Sequence, residues 1–286
     1  MEENERKVFL QKIARLEQEK SALKRQLNSV DRIKRTVRRN FQDLAYLLTS
    51  VMSLSNRYMG GHVRRVAEVQ RQFCEHLNLG NDTVYLYYYA ALFHDIGLIG
   101  TGEEIVLKPE SELKEPDITA FRRHPVTGEK IVGSMYNLKR VATIIRSHHE
   151  EYTGGGYPDG LHGEKIPLGA RFLRVANDYD NLQYKSSMNR RQALLAIEDR
   201  SGILYDPKIA EPFCAFIRAG LSDDPEETRS VFVRDLKPGM ILQEDVYLTS
   251  GIMLLPKGML LTGELADKVV SFESLLDMMR EVKVIG

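Results

Sequence analysis

The 286-residue chain sets forty Lys and Arg against forty Asp and Glu, a formal net charge of zero. That length predicts two domains plus an extension. The charge balance argues against DNA, RNA or an anionic membrane recruited by bulk electrostatics. Cys74 and Cys214 lack CxxC spacing and read as buried thiols of a reducing compartment. The longest apolar run, Val84 to Phe93, is about half a membrane span, and the polar, charged N-terminus shows no secretory signal. The expectation is a cytoplasmic protein.

In chain order, Phe9, Leu16, Leu23, Val30, Val37, Leu44 and Val51 recur every seven residues, with Ile13, Leu27, Phe41 and Leu48 at the alternate seam positions. Sustained over roughly six heptads, this pattern predicts a coiled coil. Lys20 and Lys34 on the seam favour one register and few strands, so a parallel homodimer through residues 1–55 is expected. The basic cluster Lys24, Arg25, Arg32, Lys34, Arg35, Arg38 and Arg39 reads as the solvated flank of that helix, suited to a signalling stalk.

Gly60-Gly61 interrupts the heptads, and residues 56–221 read as a helical bundle. Helices are expected over 62–77, 83–96, 117–134, 137–149, 168–184, 190–199 and 207–218. Pro125 and Pro167 fall where proline suits a first turn, and Gly97 suits an exit. Two longer connections, 98–116 and the glycine-rich 153–163, have the length of binding loops or lids. A polar link over 222–227 leads to residues 228–286, where short apolar runs alternate with Pro-Gly and Ser-Gly turns. A helix over 263–280 and a strand over 282–285 complete a small α+β accessory module without histidine or cysteine. The fold class is therefore mainly α, with a small C-terminal α+β part.

The seven histidines carry the chemistry. His62 is placed at the start of the first bundle helix, and His94-Asp95 at the end of the second. His124 precedes Pro125, which biases it toward an extended, capping conformation. His148-His149 end a fourth helix; His76 and His162 fall outside the pattern. Each histidine alone reads as a cap or a satisfied core residue. Their joint order, always at helix ends, points to a pair of divalent cations held by N and O ligands, with Asp95 as the bridging carboxylate. Gly154, Gly155 and Gly156 permit positive φ and close backbone approach, Tyr157 offers a face for a base, and Pro158 stiffens the turn.

These segments resemble the HD-GYP family, a branch of the HD-domain metal-dependent phosphohydrolases. The resemblance is carried by His94-Asp95-Ile96-Gly97, His124-Pro125-Val126-Thr127-Gly128, His148-His149-Glu150, Gly156-Tyr157-Pro158-Asp159-Gly160-Leu161, Ile166-Pro167-Leu168-Gly169-Ala170-Arg171, Asp180 and Tyr205-Asp206-Pro207, in the family's order over about 60–218. It implies an all-helical HD-type domain with two or three divalent ions, iron or manganese first, nickel or zinc otherwise. It implies hydrolysis of cyclic di-GMP to a linear product by a metal-activated hydroxide, in bacterial second-messenger signalling. It implies metal ligation by His62, His94, Asp95, His124, His148 and His149, Asp95 being also the catalytic carboxylate; the glycine-rich loop, following His148-His149 directly, reads as a substrate rim at Gly155, Gly156, Tyr157 and Pro158.

The chain also departs from the family. Asn177 replaces a ligand aspartate and offers one neutral carbonyl oxygen, so its metal is expected to bind more weakly. Leu98 stands where a lysine is usual, Thr153 where an aspartate is usual, and the Asp-Arg-Pro-Tyr-Arg-like loop is shortened to Tyr184-Lys185-Ser186-Ser187. These departures support an alternative, a catalytically weakened module serving as a cyclic-dinucleotide receptor or an interaction platform for signalling proteins. A phosphohydrolase of another nucleotide is the third reading.

Overall fold

In a computed structural model of the chain, the heptad segment forms one long helix, α1 (Glu2–Ser55). The structure describes residues 2–285 except 187, 221–227, 264, 267, 268, 270, 271, 273–276, 278 and 279, and leaves the side chains at 2–6, 10, 11, 13, 14, 38, 55, 57, 228 and 229 undescribed. The polar link at 222–227, Ser187, most of the helix expected over 263–280, and the side chains of Ile13 and Arg38 thus lie outside the described residues. The chain divides into two compact units, Met1–Leu47 and Leu48–Gly286. In the first, Phe9, Leu16, Leu23, Leu27, Val30, Val37 and Leu44 are all exposed along the helix.

The second unit contains the helical bundle. Helix α2 (Arg57–His76) starts five residues before the position expected from sequence. Asn56 sets that start, its side chain accepting the Met59 N–H at 3.1 Å, which satisfies one of the otherwise unpaired first-turn donors. Gly60-Gly61 therefore lies inside the helix and does not break it. A Cβ on Gly60 would overlap the Ser53 hydroxyl, so this glycine serves close packing. His62 accordingly sits in the second turn of α2, not at its first residue.

Helix α3 (Asn81–Phe93) follows, almost wholly apolar and buried from Tyr87 onward. The connection 98–116 is not bare loop: it contains the short helix α4 (Glu103–Leu107) and a 3-10 turn at Glu110–Glu112. The helix expected over 117–134 is two helices, α5 (Asp117–Arg122) and α6 (His124–Gly133). Pro125 lies in the first turn of α6, where its missing N–H is harmless. His124 is thus the first helical residue, not an extended cap.

Helix α7 (Lys139–Arg146) stops short of His148-His149, which follow in a turn. Helices α8 (Leu168–Tyr184) and α9 (Arg190–Asp199) match the expected bounds, and α10 (Pro207–Ala219) ends one residue later. Helix α8 packs against α2, α3, α7, α9 and α10. Phe73 of α2 fills the centre, its ring 5.2–5.7 Å from those of Phe172, Phe213 and Phe216. Cys74 and Cys214 are buried free thiols.

The accessory part has an antiparallel sheet of order β1-β5-β2, from β1 (Thr228–Phe232), β2 (Ile241–Leu242) and β5 (Glu281–Ile285). Strands β3 (Val246–Tyr247) and β4 (Met253–Leu255) pair separately. Leu242, Leu255, Val282 and Val284 form its core. Arg64 of α2 donates to the carbonyls of Met253 at 2.9 Å and Leu254 at 3.1 Å, and Arg65 to that of Lys257 at 3.2 Å. No helix among the described residues is long and apolar enough to cross a membrane.

Candidate metal centre

The apolar run of α3 ends at His94, and Asp95 begins a 3-10 turn over Ile96–Leu98. Gly97 makes that turn possible where it is. A Cβ there would strike the His124 carbonyl and lie 2.9 Å from the Gly128 amide. Glycine thus lets the His-Asp turn rest directly on the start of α6, which brings Asp95 to His124.

The carboxylate of Asp95 faces two groups of imidazoles. Its Oδ2 lies 3.3 Å from His94 Nε2 and 3.5 Å from His62 Nε2, while Oδ1 lies 3.5 Å from His124 Nε2. His62 and His94 approach Nε2 to Nε2 at 3.2 Å, as do His124 and His148. His62, His94 and Asp95 form one cluster of candidate ligand atoms, and His124, His148 and His149 a second. All six residues are buried.

The other ring nitrogens fix the tautomers. Nδ1 of His94, His124 and His148 lies 2.6–2.7 Å from the carbonyl three residues earlier, of Ala91, Phe121 and Ile145 respectively. A carbonyl only accepts, so each Nδ1 carries the proton. Nδ1 of His62 donates at 2.7 Å to Asp180 Oδ2. In the neutral ring, Nε2 then presents a lone pair toward the cluster. Two lone pairs 3.2 Å apart repel unless a cation lies between them. Two N or O ligands about 2.1 Å from one ion and 90–110° apart are separated by about 3.0–3.4 Å, which fits the observed spacings. The donor set therefore fits one divalent ion in each cluster, with Asp95 able to touch both.

The protonation tendencies agree for the second cluster. Burial holds His148 and His149 well below the ordinary imidazole value, and neighbouring imidazoles push the same way. Burial also lowers His62 and His124. Burial opposes the proton on His94, but Asp95, with the Ala91 carbonyl and Asn177, raises that ring. Burial works against the charged form of Asp95, yet His94, His124 and His62 together hold it well below the usual carboxylate range. At neutral pH a cation would enter the second cluster without displacing protons from His148 or His149.

Asn177 of α8 is buried and within hydrogen-bond reach of His94. Its Oδ1 accepts from Asn181 Nδ2 at 3.2 Å, and Asn181 Oδ1 accepts the Tyr58 hydroxyl at 2.8 Å. The expected weak ligand thus belongs beside the first cluster, with its oxygen engaged in an amide chain. Leu98 is only 2% exposed, so this position is filled by an apolar packing residue.

The glycine-rich loop rests on the second cluster. Tyr157 stacks on His149 at 4.8 Å and 13°, and its hydroxyl donates to Glu110 Oε2 at 3.1 Å. Tyr157 thus braces a candidate ligand in addition to any contact with a base. Gly154 has φ of 93°; Gly155 and Gly156 do not use positive φ. Gly156 is required by space, since a Cβ would strike the His149 carbonyl and the Glu151 amide. Glu150 closes the loop by accepting the N–H groups of Asp159 at 2.8 Å and Leu161 at 2.9 Å. Pro158 is half-buried beside Tyr157. His76, against Phe216, and His162, beside Gly154, take no part in either cluster.

Sequence reasoning placed Asp180 only as a family position and gave no role to Arg65 or Tyr58. Asp180 receives His62 on one side and Arg65 on the other, at 2.6 Å from Nε and 2.9 Å from Nη2. Burial opposes its ionisation, but Arg65 and His62 bring its pKa down to about 2. The signal available in sequence was its place three residues after Asn177, on the same face of a helix.

Comparison with known proteins follows the same lines. A family model described as HD domain matches residues 47–209. The cyclic di-GMP phosphodiesterase response regulator RpfG of Xanthomonas campestris is 36% identical over 155 residues, 52% of this chain and 41% of that protein. A cyclic di-GMP phosphodiesterase of Vibrio cholerae is 30% identical over 194 residues, 61% of this chain and 39% of its own. The 3'3'-cGAMP-specific phosphodiesterase 3 of the same organism is 31% identical over 55% of this chain and 35% of its own. The chain thus spans well under two thirds of the length of these relatives. The crystal structure of a cyclic GMP-AMP specific phosphodiesterase of V. cholerae shares the fold, with a TM-score of 0.51 at 22% identity over 62% of this chain and 48% of that one. The chain belongs to the HD domain family, of the HD-GYP type.

Proposed function

We propose that this chain is a metal-dependent phosphodiesterase that opens cyclic di-GMP or a related cyclic dinucleotide to a linear product, as part of bacterial second-messenger signalling in the cytoplasm. The observation that carries the reading is the Asp95 carboxylate set between two clusters of buried imidazoles, with one oxygen toward each. His62, His94 and Asp95 would hold one ion, and His124, His148, His149 and the second oxygen of Asp95 the other, with Asn177 beside the first. Iron or manganese suits such a nitrogen-rich set, with nickel or zinc as alternatives. Bound there, the ions would supply Lewis acidity and activate a water at neutral pH. The chain's own residues do the rest. The three i−3 carbonyls and Asp180 fix the imidazole tautomers, Tyr157 and Phe121 shield the second cluster, and Gly155, Gly156, Tyr157 and Pro158 form a rim beside it. The exposed apolar stripe of α1 supports a parallel homodimer, since a lone helix leaves that surface in water.

The test is metal analysis of the purified full chain together with turnover of cyclic di-GMP and 3'3'-cGAMP after iron and manganese loading. About two ions per chain and a linear product are expected. Two bound ions with no product from either dinucleotide under both loadings would overturn the enzymatic reading. That outcome would favour the second one, a cyclic-dinucleotide receptor or protein-interaction module. The second reading draws on Asn177, which adds no negative charge to the first cluster, and on Leu98, which is packed as an apolar residue.

A further inference from the structure

Two connections have the length of binding loops, 98–116 and 153–163, and they meet at one side chain, Arg122. Arg122 is the last residue of α5, and its Nε donates to Glu110 Oε1 at 2.7 Å. Glu110, in the 3-10 turn of the first connection, also accepts the hydroxyl of Tyr157 from the second, through Oε2 at 3.1 Å. The guanidinium carbon of Arg122 lies 5.0 Å from the centre of the Tyr157 ring, within cation–π range. One carboxylate thus ties both connections together.

The assembly is layered outward from the second cluster. Tyr157 stacks on His149, and Arg122 covers the Tyr157 ring in turn. With both against it, that ring has little surface left on which a base could stack. Phe121, the neighbour of Arg122 in α5, is buried against the His124 and His149 rings. The Arg122 side chain, by contrast, is 52% exposed. Among the described residues Glu110 is its only hydrogen-bond partner, so both Nη groups remain able to donate.

An exposed ion pair adds little to stability, so folding alone gives no reason for this arrangement. What it does provide is a fixed guanidinium: Glu110 and Tyr157 hold the plane, and a ligand meets a fork that is already oriented. The Glu110 carboxylate beside it offsets the charge and disfavours a phosphate at the same place. A neutral base carries no such penalty. Guanine presents two adjacent acceptors, O6 and N7, whereas adenine has a donor at the O6 position.

We propose that Arg122 is a specificity-determining residue that reads a guanine of the cyclic dinucleotide, its Nη groups donating to O6 and N7 while the phosphodiester lies at the imidazole clusters. The inference rests on the cyclic-dinucleotide reading above and deepens it.

The experiment measures equilibrium binding of hydrolysis-resistant phosphorothioate analogues of cyclic di-GMP and cyclic di-AMP to the manganese-loaded full chain. Wild type, Arg122→Met and Arg122→Lys are compared, with metal content recorded for each. A bidentate contact predicts that wild type prefers the guanine analogue by about tenfold or more. Both variants should lose that preference, because lysine keeps the charge but not the planar fork. Affinity for the adenine analogue should change by less than about threefold. Metal content should hold, since the side chain meets Glu110 and Tyr157 and no candidate ligand. No preference in wild type, or one that survives in Arg122→Met, would overturn the role of Arg122 and leave the cyclic-dinucleotide reading standing. Equal weakening of both analogues in Arg122→Met, restored in Arg122→Lys, would overturn base reading in favour of a phosphate contact. Loss of metal in Arg122→Met would overturn the direct contact and leave a packing role. Binding of neither analogue by wild type would overturn the cyclic-dinucleotide reading itself, and this inference with it.

Discussion

The two halves of the candidate metal centre are built from the same side chain but backed by different chemistry. In the half formed by His124, His148 and His149, the backing is neutral: backbone carbonyls fix His124 and His148, and Tyr157 stacks on His149. In the half formed by His62, His94 and Asp95, the backing is ionic at one ligand. His62 donates to Asp180, which is also gripped by Arg65. A carboxylate behind an imidazole raises its basicity and holds the ring more firmly than a carbonyl does. The halves are therefore separable: one depends on a charged network, the other on helix ends and aromatic packing.

The largest effect should come from the one residue the halves share. Asp95→Ala is expected to remove both ions and to lower turnover by about a thousandfold or more, since it deletes the bridging charge. Metal analysis checks this beside Asn177→Ala, which should lose far less; equal loss would contradict the bridge.

Asp180→Asn should separate the halves. Second-layer changes of this kind cost about 10–100-fold in metal affinity, and here only one of the two ions should be weakened, as a competitive chelator titration would resolve. The same variant has a signature in acid. The folded-state pKa of about 2 lies below the unfolded carboxylate value of about 3.9. Asp180 therefore contributes stability that is present above pH ~4 and lost as pH falls toward 2, at most about 2–3 kcal/mol. Denaturant midpoints of the metal-free wild type should fall through that window, and the slope should flatten in Asp180→Asn.

A gain should follow from Asn177→Asp, which adds a negative charge beside His94. Affinity at the first half is expected to rise about tenfold with the second unchanged; a uniform rise would show that the halves are not independent. The smallest effect belongs to Tyr157→Phe, which keeps the ring on His149 and loses only the hydrogen bond to Glu110, worth about 1 kcal/mol. Metal content should hold, and the melting temperature should drop by a few degrees.

Much of this was legible from residue order. Helices α8 and α9 carry clear periodicity and turn residues at both ends, and their bounds followed. The residues that converge on Asp95 were readable because His-Asp and His-His pairs at the ends of apolar segments have no packing use. What was hidden depended on contacts distant in sequence. The glycine pair at 60–61 resembles a break locally, and only Ser53 beside it shows that Gly60 serves close packing inside a helix. Asp180 and Arg65 are 115 residues apart, and no local pattern pairs them. Arg122 looks like an ordinary helix-end arginine until Glu110 and Tyr157 are brought to it.

Arg65 carries a consequence for where this protein can be cut. Its guanidinium joins Asp180, and through it His62, to the Lys257 carbonyl of the C-terminal strands, while Arg64 donates to the carbonyls of Met253 and Leu254. A fragment trimmed to the family boundary near residue 209 would keep every candidate metal ligand and lose the three carbonyl acceptors that hold Arg64 and Arg65 against the C-terminal strands. Such a fragment would be a poor stand-in for the full chain in metal-binding work. The accessory strands act as an outer wall of the first metal half.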